Sequence, residues 1–204
     1  EGAHLYSGLA KEITPEEYET RIADGSITDV LARHDVSAGD VFFIPAGRVH
    51  AICGGCYIAE IQQTSDITYR IWDYKRLGLD GKPRQLHTEL AKEAIDYRVY
   101  PDYRSSYEKV RNEEALLVDC PFFTTSLLDA DAPFTKELGG SDSFLVLMCT
   151  GGEGSLSLEG AEVDGMPVQV RAGETLLIPA CAEKLHVNPS GDGIKLLLSC
   201  QCSR

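Results

Sequence analysis

The chain has 204 residues, 43% of them hydrophobic and 25% charged, a balance typical of a globular protein with one large domain or two small ones. Its formal charge of −13 argues against nucleic acid or an anionic membrane surface as a partner, because both are bound through basic patches. No apolar run reaches the roughly 18 residues of a transmembrane helix and no basic-then-apolar leader is visible, so neither a membrane span nor a secretory signal is expected.

The first predicted element lies in "ITPEEYETRIADG". Thr14 can cap a helix, Pro15 suits its first position, Glu17 completes a capping box and Gly25 closes it, which predicts a helix from Pro15 to about Ala23. Ser26 starts a second predicted short helix, to about Arg33. From Val36 short apolar stretches alternate with Gly, Pro, Asp and Asn clusters, the pattern of a β-sandwich or barrel. Strands are expected in "VFFIPA", "CYIAEIQQ", "TYRIWDY", "LLVDCPFFTTSLLD", "SFLVLMCTG", "GSLSLEG", "PVQVRAGETLLIPA" and "IKLLLSC". The Gly-rich "TGGEGSLSLEG" lacks the Lys-Ser/Thr of a phosphate loop and reads as a hairpin. "LHTELAKEAIDY" reads as a short helix or turn, and the connecting "RVYPDYRSSYEKVRNEE" holds a predicted boundary between units 1–97 and 98–204, with a helical segment at 14–34.

The two units share a phrase. "VSAGDVFFIPAGRVHA" begins at Val36 and "VRAGETLLIPACAEKLHV" at Val170, both Val-x-Ala-Gly-acidic-x-apolar-apolar-Ile-Pro-Ala, so two copies of one supersecondary unit are expected. Placing Ala182 at the position of Gly47 leaves His186 out of register with His50, which makes the second copy degenerate.

The spacing from Gly39 through Pro45 and Gly47 to His50 resembles the second motif of the cupin barrels. The resemblance implies a mostly β fold of cupin, jelly-roll-like repeats, with His50 turned inward to a metal. The longer text "FFIPAGRVHAI…IAEIQQTSDITYRIWDYKR…DGKPRQLH" is very similar to the type I mannose-6-phosphate isomerases, strongly from about His4 to His87. That family implies a zinc-dependent exchange of mannose 6-phosphate and fructose 6-phosphate, a small sugar phosphate being the partner. It implies His50 as a zinc ligand, Arg70 as catalytic, and Glu60 and Asp66 in the same pocket.

The chain departs from the family in its metal donors. No His-x-His is present, His4 and His34 are poor substitutes, and a catalytic zinc takes three protein ligands. The remaining ligands are expected upstream of Glu1, and since the chain begins with Glu rather than Met it is expected to be a processed product or to start inside a longer gene. A non-catalytic sugar-binding cupin is the rival reading; an iron dioxygenase would need a full donor set in this chain.

"RIWDYKRLGLDGKPRQ" has a local excess of Arg and Lys, from which Arg84 is the phosphate-side candidate. Cys53-Gly-Gly-Cys56 has zinc-knuckle spacing but no second pair, so a tight hairpin turn is expected. Seven scattered cysteines fit reduced thiols in a cytoplasmic protein.

Overall fold

His4–Leu9, β1, is the middle strand of a small antiparallel sheet, with burial alternating from His4 to Ser7. The computed structural model describes residues 2–65, 67–74, 76–139, 142–160 and 166–201. β1 pairs on one side with β2 (Leu31–Asp35) and on the other with β3 (His50–Ile52). Helix α1 (Pro15–Asp24) follows β1 as expected, with Thr14 Oγ1 accepting the Glu17 amide at 3.2 Å and Gly25 left-handed at φ 82. Only this half of the capping box forms, because the Glu17 carboxylate turns forward to Arg21 at 2.8 Å.

The second predicted helix, Ser26 to Arg33, is not present. One 3-10 turn spans Ile27–Val30, and the chain then extends into β2. So short a helix nucleates poorly, whereas extension gives Leu31 a partner in Leu9 and buries Val30 and Leu31. These two residues join Leu9, Ile13, Tyr18, Ile27 and Ala91 in one core. Ala91 comes from α2 (Thr88–Ala94), whose first residue accepts the buried Tyr18 hydroxyl at 3.1 Å.

Three expected strands are also absent among the described residues. "VFFIPA" makes only one bridge, Val41 to Ser105, and "CYIAEIQQ" and "TYRIWDY" enter no strand. Apolar β-prone text becomes a strand only beside a free sheet edge, and here Tyr57, Ile58, Ile67 and Tyr69 are exposed instead.

The other unit is built on one seven-stranded antiparallel sheet. Its strands are β4 (Glu114–Asp119), β5 (Phe123–Ala130), β6 (Phe134–Glu137), β7 (Leu145–Glu159), β8 (Val168–Arg171), β9 (Thr175–Ile178) and β10 (Lys184–Gln201). The order is β4-β5-β10-β7-β8, with β6 on β10 and β9 on β7. The long strands β7 and β10 pair along most of their length, with a register shift between Ser190 and Ile194. At one end they carry β9 and β5; at the other, β8 and β6. This is the jelly-roll arrangement of a cupin-type fold.

The Gly-rich hairpin expected at "TGGEGSLSLEG" is therefore the bend in one continuous strand, β7. Burial falls on Leu145, Leu147 and Cys149 before the bend and on Gly154 and Leu156 after it. A register shift between Ser190 and Ile194 on β10 accompanies this change of parity. Gly152 sits at φ 71, and a Cβ there would lie 1.9 Å from the Gly193 carbonyl oxygen, so only glycine fits the crossing. Leu128, Leu147, Leu185, Val187, Leu196 and Leu198 fill the interior.

The compact units are Glu1–Ile58 with Thr64–Ser105, and Ala59–Gln63 with Ser106–Arg204. Each contains one copy of the repeated phrase, and the copies share several turn bonds. Asp40 accepts the Ser37 amide and Glu174 accepts the Arg171 amide, at 3.1 and 3.0 Å. Gly39 and Gly173 have φ 92 and 93. Arg48 N–H donates to Pro45 and Ala182 N–H to Pro179. These turns put Cys181, not Ala182, at the position of Gly47, and Lys184 at that of His50.

Candidate functional site

Pro45, Gly47 and His50 form the turn that opens β3. Gly47 has φ 85, and a Cβ there would meet the Ala94 carbonyl oxygen at 2.6 Å. The Gly47 carbonyl accepts the Asp96 amide at 2.9 Å, so glycine lets the end of α2 close onto the turn. Arg48 bonds the Phe43 carbonyl at 3.0 Å and lies over the Tyr100 and Tyr103 rings at 4.9 and 5.1 Å.

His50 itself is exposed, opposite Ser7 of β1. Its Nδ1 lies 3.1 Å from the Arg48 carbonyl. A carbonyl only accepts, so Nδ1 donates in this contact, which leaves Nε2 as the nitrogen available to a ligand. No group of three His, Cys, Asp or Glu side chains able to hold a metal occurs among the described residues. The donors present fit a single ligand rather than a complete zinc site. His4 bonds the Gly2 carbonyl, and His34, on β2 rather than at a helix end, bonds the Ser7 carbonyl at 3.2 Å.

Arg70 is half-buried in a segment that runs beside residues 84–87. Its Nη1 donates to the Gln85 carbonyl at 3.3 Å. Its backbone is held twice by His87: Arg70 N–H donates to His87 Nδ1 at 3.1 Å, and His87 N–H donates to the Arg70 carbonyl at 2.8 Å. His87 was not among the expected site residues; its sequence signal is only the last letter of "RQLH".

Arg84 is held by an acid of its own segment. Its guanidinium grips both oxygens of the buried Asp73 carboxylate, with Nε at 2.6 Å from Oδ2. This bond, with the charges of Arg84, Arg70 and Arg76, holds the Asp73 carboxyl below the usual carboxylate range. The basic run is thus organised around its own acid. Glu60 is exposed and belongs to the segment Ala59–Gln63 that clusters with the β-rich unit. Asp66 lies outside the described residues. Among the described residues, no hydrogen bond or ion pair joins His50, Arg70 and Glu60 to one another.

The fold and the His50 turn define a cupin-type β protein. Comparison with known proteins narrows this class. No family model matches the chain. It is 34% identical over 146 residues to the mannose-6-phosphate isomerase ManA of Bacillus subtilis (strain 168), covering 70% of this chain and 45% of the relative. It is 29% identical over 180 residues to the mannose-6-phosphate isomerase of Streptococcus mutans, covering 88% of this chain and 54% of the relative. The crystal structure of the mannose 6-phosphate isomerase from Bacillus subtilis superposes with a TM-score of 0.83 at 27% identity, over 98% of this chain and 60% of that one. This chain is a homologue of the type I mannose-6-phosphate isomerases, and it spans about half the length of the curated relatives it matches.

Proposed function

We propose that this chain belongs to a mannose-6-phosphate isomerase that interconverts mannose 6-phosphate and fructose 6-phosphate. The observation that carries the reading is the 34% identity to a curated isomerase over 146 residues. The aldose-to-ketose direction moves a proton from C2 to C1 through an enediol, and the O2 hydrogen is transferred toward O1. Arg70 is the residue assigned to stabilise the developing enediolate, and its support is its fixed position: a guanidinium anchored at Gln85 on a backbone clamped by His87 reorganises little as charge appears. Glu60 is assigned to the proton transfer and Asp66 to substrate hydroxyls, both from the family resemblance. Arg84, held in place by Asp73, is assigned to the phosphate side.

Zinc enters this reading through the family resemblance, with His50 Nε2 as the ligand this chain supplies. Because the described residues do not assemble three donors, the chemistry assigned here is that of the side chains alone. The same observation favours a second reading, a non-catalytic sugar-binding cupin.

A coupled assay for fructose 6-phosphate formation from mannose 6-phosphate, with zinc added, tests the two readings. It is run on the 204-residue chain and on the product of the complete open reading frame that encodes it. Turnover by either protein supports the isomerase; silence from both moves the assignment to the binding protein. In the form that retains zinc, His50→Ala is expected to abolish retention, read as metal content after dialysis, and unchanged content removes His50 as a ligand.

A further inference from the structure

Cys53-Gly54-Gly55-Cys56 is the one motif of the β3 region that the isomerase reading does not use. The structure makes it a four-residue turn directly after β3, with Gly54 and Gly55 at the corner. Gly55 has φ 82 at the third position, the conformation of a type II turn. A β-turn brings its first and last Cα atoms within about 7 Å, and a disulfide needs about 4.4–6.8 Å. The two cysteines also converge on one atom: the Cys53 amide and the Cys56 thiol each reach the His4 carbonyl oxygen at 3.3 Å. Both residues are free and only partly buried, and the corner glycines put no side chain over them.

We infer that Cys53 and Cys56 form a redox-active dithiol, a site at which a small disulfide of the glutathione class is reduced while an intrachain disulfide closes across the turn. The Cys56 thiolate attacks one sulfur of the small disulfide, breaking its S–S bond, releasing one thiolate and leaving a mixed disulfide on Cys56. The Cys53 thiolate then attacks the Cys56 sulfur and expels the second small thiol. The protein loses two electrons and two protons, and the small disulfide becomes two thiols. Burial, followed by the neighbouring Cys56, pushes the Cys53 thiol up, which makes Cys53 the slower attacker and a poor leaving group once the bond has formed. The Cys53 amide keeps its bond to His4, so oxidation leaves the β1–β3 pairing in place and ties the exit of the strand that begins at His50.

The test treats the folded 204-residue chain with oxidised glutathione, blocks the remaining thiols with an alkylating agent and maps tryptic peptides by mass. Both cysteines fall in the peptide Val49–Arg70, and the exposed Cys181 falls in another and serves as an internal control. Expected is a Val49–Arg70 peptide lighter by two hydrogens with neither thiol alkylated, while Cys181 carries a glutathione adduct. In C53S the adduct is expected to persist on Cys56, because its resolving thiol is gone. A persistent adduct on the wild-type peptide, or full alkylation of both cysteines under conditions that modify Cys181, overturns the proposal. The wild-type map alone decides, whether or not C53S folds.

Discussion

Asp73 and Arg84 show how a single acid can organise a basic run. The carboxylate is buried, its bidentate partner comes from eleven positions on, and Arg70 and Arg76 contribute to the same field. Because the folded-state pKa is depressed, the pair contributes stability above the ordinary carboxylate range, and that contribution is lost as pH falls through the lower folded value. Asp73→Asn is therefore expected to lower Tm at neutral pH, and the gap to the wild type to close as pH falls below about 4. A gap that stays constant with pH would show that the carboxylate charge contributes nothing. Arg70 belongs to the same segment and carries the proposed charge-stabilising role. Arg70→Ala in the complete isomerase is expected to lower kcat by about 10²–10³, the usual cost of removing a preorganised charge-stabilising donor, with metal content unchanged. Wild-type turnover would exclude Arg70 from the chemistry.

At the scale of elements, the turn before β3 depends on the absence of one Cβ. Gly47→Ala forces a positive φ on a side-chain-bearing residue and drives its Cβ into the Ala94 carbonyl. A cost of about 1–3 kcal/mol is expected in urea unfolding, with retention of wild-type stability as the contrary result. Helix α1 depends on Tyr18, whose hydroxyl donates to the Thr88 carbonyl and whose pKa burial raises to about 12. An ionised tyrosinate is tolerated in the unfolded chain but not in this core. Stability is therefore expected to fall as pH rises from about 10, the ordinary tyrosine value, toward that raised pKa, and Tyr18→Phe to lose this alkaline limb. An identical alkaline limb in the variant would assign it to another group.

At the scale of the molecule, each unit has its own core. In the β-rich unit the long pair β7 and β10 carries most of it, and Leu196 is fully buried at their centre. Leu196→Ala is expected to cost about 2–5 kcal/mol in chemical unfolding, through lost burial and the cavity left behind; a change within experimental error would place the residue outside the packed core. The repeated phrase gives both units the same hydrogen-bonded turn, yet one leads into a three-residue strand bearing His50 and the other into an 18-residue strand with Lys184 in its place. The turn is local and survives in both copies. The histidine is one side chain and does not.

What the sequence by itself determined was what local chemistry can decide. Thr14, Pro15 and Gly25 mark both ends of α1 because capping is settled within a few residues, and the Val36 and Val170 phrases specify matching turns through glycine, carboxylate and proline geometry. The family could be read from "AEIQQTSDITYRIWDY" for the same reason: it is a specific string. Only the tertiary structure decided matters that depend on partners distant in sequence. Residues 31–35 became a strand because Leu9 and Tyr6 of β1 were there to pair with them. The apolar text at 57–63 and 68–74 formed no strand because no sheet edge within the described residues receives it. "TGGEG" became a bend because β10 crosses it closely enough to exclude every Cβ at Gly152. Asp73 emerged as the partner of Arg84, and His87 as the clamp on Arg70, because side chains choose among neighbours that spacing alone does not reveal.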